Sequence, residues 1–226
     1  MNKVIVILSL CLALVMTGMS CGSGAGNVKI DPEMGVSALV ALADSHIKGY
    51  VDSMEALAMT QEVQSARWED MAALLKKVDD AGTGGTVWFV MPDGSYYTVE
   101  QGKTDQNLSD RAYFPGLMAG SEVIGPLVVS KSTGKASLIA AVPVIREGEV
   151  VGAVGCSIFL EELSMTLASE IKLPNDMIFW ATNQDGNIVL DSDTNMIMKE
   201  AAGLPKSVAS EPSPLTGWEF ALAFKD

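Results

Sequence analysis

From residue 33 to about residue 63 the apolar side chains Val36, Leu39, Val40, Ala43, Ile47, Tyr50, Val51, Met54, Leu57 and Ala58 fall three and four positions apart. That spacing lines them along one face of an α-helix, so the segment predicts a long amphipathic helix with its apolar stripe turned toward a core. Ser65, ahead of Glu69 and Asp70, offers an N-cap and an acidic first turn, and Trp68, Met71, Leu74, Leu75 and Val78 form the stripe of a second helix ending within 79–85. The period then shortens to two. Residues 86–91 and 96–99 read as the arms of a hairpin around Pro92-Asp93-Gly94-Ser95, with Asp-Gly as the reversal. A polar loop over 100–110 and a short helical piece from Arg111 to Gly116 or Gly120 lead into strands at 123–129, 136–145 and 150–159 and a helix at 160–172. Strands at 177–182 and 188–191 flank the turn Gln184-Asp185-Gly186-Asn187, and a helical stretch at 196–202 and a strand at 218–224 follow. Helices, a run of mostly antiparallel strands and a further helix predict an α+β fold.

The start of the chain has a different logic. Residues 4–16 are apolar except for Ser9 and follow Lys3, a run short for a membrane-spanning helix and shaped like the core of a signal peptide over residues 1–20. The next stretch, Thr17-Gly18-Met19-Ser20-Cys21-Gly22-Ser23-Gly24, resembles a lipobox: a small residue precedes the cysteine and a flexible tether follows it. It departs from that pattern at Gly18, where a leucine is usual. The resemblance implies a lipid on Cys21, a linker over 21–32 and an extracytoplasmic, membrane-anchored protein. Cleavage near Ser23-Gly24-Ala25 would instead release a secreted protein. Of the three cysteines, Cys11 lies in the leader and Cys156 in an apolar strand, so no disulfide framework is expected.

Composition narrows the function classes. The chain has 226 residues, 48% of them hydrophobic and 19% charged, enough to bury a core and too apolar for wholesale disorder. A formal charge of −13 leaves no basic stripe for phosphates, so nucleic acid is not an expected partner. The single histidine, His46, cannot furnish a histidine metal cluster, and no Ser or Cys motif beside it suggests a catalytic triad. Asp191-Ser192-Asp193-Thr194-Asn195 opens like a calcium loop, but Met196 and Ala202 stand where that loop needs Gly and Glu, so it reads as a polar turn. The thirteen methionines, scattered through apolar stripes, read as core filler. No enzyme chemistry, metal or cofactor is expected.

Leu108-Ser109-Asp110-Arg111-Ala112-Tyr113-Phe114, Ser130-Lys131-Ser132-Thr133-Gly134-Lys135, Ala141-Val142-Pro143-Val144 and Gly148-Glu149-Val150-Val151-Gly152-Ala153-Val154-Gly155 follow one another in that order. This succession resembles Cache domains, the extracellular PAS-like sensor modules of chemoreceptors and histidine kinases. The resemblance covers residues 33–172 and fades beyond them, leaving 173–226 as a small C-terminal α/β extension. It implies a long N-terminal helix packed on a central antiparallel PAS-like sheet, with a small ligand held between that sheet and the loops over its other face.

On that reading Arg111 anchors a small organic anion or a neutral polar compound, with Trp88, Tyr97, Tyr113 and Phe114 as walls and Ser130, Thr133 and Ser157 as hydrogen-bonding groups. A guanidinium can grip a carboxylate through two parallel hydrogen bonds. The alternative is that Arg111 pairs locally with Asp105 or Asp110. The amino-acid-binding branch of the family supplies acids for the ligand's ammonium, and here Ser130 and Cys156-Ser157 stand at those positions. A buried ammonium without a counter-charge is costly, so α-amino acids are not expected ligands. The expected role is a sensor that signals through a membrane receptor. A lipoprotein delivering solute to a transporter, and a structural or adhesive surface protein with an empty cleft, are the alternatives.

Overall fold

The computed structural model describes residues 31–82 and 84–225, so the signal-peptide segment and Cys21 lie outside the described residues. Helix α1 (Pro32–Ala58) starts where the sequence gives it two local reasons to start. Asp31 accepts a hydrogen bond from the Glu33 N–H at 3.1 Å, and Pro32 occupies a first-turn position that needs no donor. Its 27 residues span about 40 Å and bury Val36, Leu39, Val40, Ala43, Ile47, Val51, Met54 and Leu57. The helix stops five residues short of the expected end. Thr60 donates to the Leu57 carbonyl at 2.8 Å and accepts from the Val63 N–H at 3.3 Å, so it ends α1 and caps a one-turn helix, α2 (Gln61–Gln64). The second long helix, α3 (Trp68–Ala81), begins three residues after Ser65, whose hydroxyl accepts from the Arg67 N–H, because Ala66 turns the chain with φ of 54°.

Six antiparallel strands form the first sheet: β1 (Gly85–Val90), β2 (Ser95–Thr98), β3 (Gly102–Asn107), β4 (Val123–Val129), β5 (Ala136–Arg146) and β6 (Glu149–Phe159). Their order across the sheet is β3-β2-β1-β6-β5-β4. The β1–β2 turn is the expected Asp-Gly reversal, with Gly94 at φ of 82° and Asp93 accepting from the Ser95 N–H at 2.9 Å. Between β3 and β4 lies the short helix α4 (Phe114–Met118). Strand β3 falls where a polar loop was expected; Gly-Lys-Thr-Asp-Gln-Asn at a sheet edge buries only Thr104, so the sequence carries no alternation to announce it.

Side chains alternate across this sheet and sort into two apolar layers. Val87, Phe89, Leu138, Ala140, Val142, Val154, Cys156 and Ile158 face the helices. Trp88, Val90, Tyr96, Ile139, Ala141 and Ala153 face the opposite way, onto Leu108, Phe114 and Leu117. Two β6 glycines make room for bulky neighbours on β1. A Cβ on Gly152 would lie 2.5 Å from the Phe89 ring, and one on Gly155 would lie 2.5 Å from the Trp88 indole.

Helix α5 (Leu160–Ile171) follows β6 directly. Beyond it, β7 (Met177–Thr182), β8 (Ile188–Asp191), β9 (Ala209–Pro212) and β10 (Glu219–Phe224) form a second antiparallel sheet in the order β8-β7-β10-β9. Phe179, Val189, Leu190, Phe220 and Leu222 of this sheet join α1, α5 and the helix-facing layer of the first sheet in one continuous core. The expected helix at 196–202 is absent; a single 3-10 turn at Thr194–Met196, capped by Asp193, gives way to irregular chain in which Met198 takes φ of 67°. The polar Asp-Ser-Asp-Thr-Asn run satisfies its own backbone through side chains, which stops the helical repeat from propagating.

Candidate ligand-binding cleft

Trp88, Tyr96 and Ile139 project from the face of the first sheet opposite α1 and α3, and the loop from Leu108 to Tyr113 folds over them. The β4–β5 turn, with Ser130, Lys131 and Ser132, closes the other side. Ser157 on β6 lies at the base, 5% exposed, and accepts a hydrogen bond from the Trp88 indole N–H at 3.1 Å. This bond and the space left by Gly155 fix the indole flat against the sheet. Tyr113 forms part of the wall, and burial pushes its phenol up to about 12, so it remains a neutral donor at physiological pH.

Arg111, Lys131, Ser130, Ser132 and Ser157 are the charged and hydroxyl side chains of the lining, together with the phenols of Tyr96 and Tyr113; no carboxylate belongs to it. Of the two carboxylates offered as alternative local partners of Arg111, Asp110 is engaged elsewhere. Asp110 binds Lys131, whose ammonium lies 2.7 and 2.8 Å from the two carboxylate oxygens and also donates to the Asn107 carbonyl at 2.7 Å. That hydrogen bond holds the exposed Asp110 carboxyl below the usual carboxylate range. Arg111 instead donates through Nη2 to the Val129 carbonyl at 2.7 Å, and its Nε is buried with no hydrogen-bond partner. Both links tie the 107–113 loop to the β4–β5 turn. Between them the cleft has a volume of only ≈ 20 Å³, room for about one water molecule.

The residues singled out from sequence divide clearly. Arg111, Tyr113, Trp88, Ser130 and Ser157 converge on this cleft. Tyr97 does not: β2 alternation turns its neighbour Tyr96 to the cleft and Tyr97 to the opposite face, where its ring stacks on Trp68 at 5.1 Å. Phe114 is buried in the apolar layer behind the cleft and does not line it. Thr133 also stays outside, ordering the turn by accepting from the Lys135 N–H at 3.3 Å while its own N–H donates to the Ser130 hydroxyl at 3.4 Å. Sequence reasoning missed Lys131 and Ser132, although both sit beside the quoted Ser130; their long and short polar side chains in a turn read as solvated until the turn is seen folded over Arg111. Cys156, expected as an apolar strand residue, is a free and fully buried thiol on the other face of the sheet.

No model of a known protein family and no curated protein matches the chain. Solved structures do. The ligand-binding domain of the Pseudomonas fluorescens chemoreceptor CtaA, in complex with L-serine, superposes over 84% of this chain and 93% of its own, with a TM-score of 0.67 and 16% identity. The sensor domain of the Vibrio cholerae histidine kinase DctB covers 85% of this chain and 95% of its own, with a TM-score of 0.67 and 12% identity. The ligand-binding domain of the Pseudomonas aeruginosa amino-acid chemoreceptor PctC, in complex with GABA, covers 84% and 94%, with a TM-score of 0.66 and 18% identity. The fold is therefore that of Cache-type sensor domains.

Proposed function

We propose that this protein is an extracytoplasmic, non-enzymatic sensor of a small organic anion, held to a membrane by a lipid on Cys21 and signalling through a membrane partner. The observation that carries the ligand class is the cleft's charge: Arg111 and Lys131 line it, no carboxylate does, and the Arg111 Nε is buried without an acceptor. A ligand carboxylate would give Nε its missing acceptor and take the place of the Val129 carbonyl at Nη2, making the two parallel hydrogen bonds a guanidinium forms best. Ser130, Ser132 and Ser157 then hold its polar substituents. The solved domains of the same fold include complexes with L-serine and GABA, each a carboxylate-bearing small molecule. Among the described residues no helix is long and apolar enough to cross a membrane.

The closed cleft supplies a route from ligand to output. Entry of anything larger than water must part the 107–113 loop from the β4–β5 turn, breaking the Arg111–Val129 and Lys131–Asp110 links. The same turn continues into Lys135, which pairs with Glu162 in the first turn of α5 and lies 4.3 Å over the Phe159 ring. Helix α5 packs on both sheets, so displacement of the turn reaches the second sheet through a packed element.

A thermal-shift screen of small mono- and dicarboxylates on the full chain tests this reading. A carboxylate should raise the melting temperature, and Arg111→Ala should weaken its binding by about 30-fold or more, the loss typical of a desolvated charge-assisted contact. Arg111→Lys should recover only part of the affinity, since an ammonium lacks the planar fork. Unchanged affinity in Arg111→Ala refutes the assignment.

A further inference from the structure

A pocket far roomier than the Arg111 cleft opens elsewhere among the described residues. A cavity of ≈ 430 Å³ lies on the opposite face of the first sheet, between α1, α3 and the paired strands β1 and β6. That volume is ordinary for a small-molecule site, in the range of about 300–1,000 Å³. His46, Gly49, Tyr50 and Ser53 stand at helical spacing along one side of α1, Val78 and Asp79 face them from α3, and Val87 and Cys156 form the floor. Gly49, Gly82 and Gly85 belong to its lining. A Cβ on Gly85 would lie 2.7 Å from the Cys156 sulfur, and a Cβ on Gly49 would meet nothing within 4 Å.

The ionisable groups of this cavity define what it can hold. Burial pushes the Tyr50 phenol up to about 12 and raises the Cys156 thiol further, so both stay neutral. Ser53 spends its proton on the Gly49 carbonyl at 2.7 Å. His46 is paired with Glu170 at 3.1 Å, and Lys77 is exposed on the outer turn of α3, where water screens its charge. The Asp79 carboxylate is the inner charge. One of its oxygens accepts from the Val87 N–H at 2.7 Å, and burial raises its pKa, with Glu100 and Asp80 adding further negative field. A carboxylate partly withdrawn from water among neutral walls gains most from a cation that enters beside it.

We propose that this cavity is a second ligand site, for a small primary amine with a compact apolar body. The ammonium pairs with Asp79, and the body packs against Tyr50, Val78, Val87 and the neutral thiol. The molecule's formal charge of −13 favours approach of such a cation. The site is independent of the Arg111 cleft: the β-sheet separates them, and they prefer opposite ligand charge.

Calorimetric titration of the full chain with 2-phenylethylamine, tryptamine and the uncharged 2-phenylethanol tests the proposal. At least one amine binds, at one per chain, and at least tenfold more tightly than the alcohol. Asp79→Asn keeps an acceptor for the Val87 N–H but removes the charge, and weakens the amine tenfold or more. Gly49→Leu extends a side chain into the cavity from an exposed helix position; it abolishes amine binding without lowering the melting temperature. Arg111→Ala leaves amine binding unchanged, which separates this site from the anion cleft. Failure of both amines to bind, wild-type amine affinity in Asp79→Asn or Gly49→Leu, or loss of binding in Arg111→Ala overturns it.

Discussion

Gly155→Ala is a one-carbon change that should damage the Arg111 cleft. The added methyl would sit 2.5 Å from two carbons of the Trp88 indole and 2.8 Å from the Ala141 Cβ. Carbon atoms rest about 3.5–4.0 Å apart, so something must move by about 1 Å. The Ala141 Cβ is fixed to a central strand, and Trp88 is 3% exposed with little free space around it. The indole must therefore tilt, which lengthens the 3.1 Å bond to Ser157. Overpacking of a core by one carbon costs about 1–3 kcal/mol and loss of a neutral hydrogen bond about 0.5–1.5, giving about 2–4 kcal/mol together. For a chain of this size each kcal/mol lowers the melting temperature by about 2–4 °C, so a fall of roughly 4–16 °C is expected by differential scanning calorimetry. Gly116→Ala, where a Cβ meets nothing within 4 Å, is the matched control and should change little. The clash is specific to the indole, so Trp88→Phe combined with Gly155→Ala should cost less than the sum of the two single changes by about 1 kcal/mol or more. A wild-type melting temperature for Gly155→Ala, or strict additivity in the double variant, would refute this account of why β6 carries a glycine there.

In the second sheet, burial raises the Asp191 carboxyl to about 6 while its side chain accepts from the Asp193 N–H at 2.7 Å. The folded state binds that proton more tightly than the unfolded chain, whose value is about 3.9, so the contribution of this group to stability is greatest below about pH 4 and is lost as pH rises through about 6. Asp191→Asn should flatten this decline and stabilise the protein at pH 7 by about 1–3 kcal/mol, measured by urea unfolding across pH 4–7; an unaltered pH profile would contradict it. At the other end of the chain, Cys21→Ser should move the protein from the membrane fraction to the soluble exported fraction. A wild-type protein already soluble after export, with an N-terminus near Gly26, rules out the lipid anchor.

The elements that sequence disclosed best are those with long apolar patterns. The one-sided stripe of α1, and the near-continuous apolar runs of β1, β5 and β6, buried on both faces, carry signals that tertiary packing had no reason to override. β3 and β9 were invisible because each is a short edge strand with few buried side chains, so no alternation marks them in the sequence. At the cleft, Arg111, Tyr113, Trp88, Ser130 and Ser157 were legible through family resemblance, but the choice between Tyr96 and Tyr97 depended on register: one residue inverts the facing of a strand. Lys131 needed the fold, since its role depends on a turn closing over a loop 21 residues away in sequence. The α1–α3 cavity left no local trace at all; it arises from glycines and polar residues spread over four elements.

The central claim is that the Arg111 cleft holds an anion and offers nothing to an ammonium. Isothermal titration calorimetry comparing a carboxylate that binds with its α-amino derivative tests it most directly. Solved domains of this fold hold L-serine and GABA, so the derivative is the natural competitor. With Arg111 and Lys131 in the lining and no carboxylate beside them, the acid should bind at least tenfold more tightly than the amino acid. Equal or tighter binding of the amino acid, abolished by Arg111→Ala, would contradict the account and show that an ammonium partner enters the cleft when it opens.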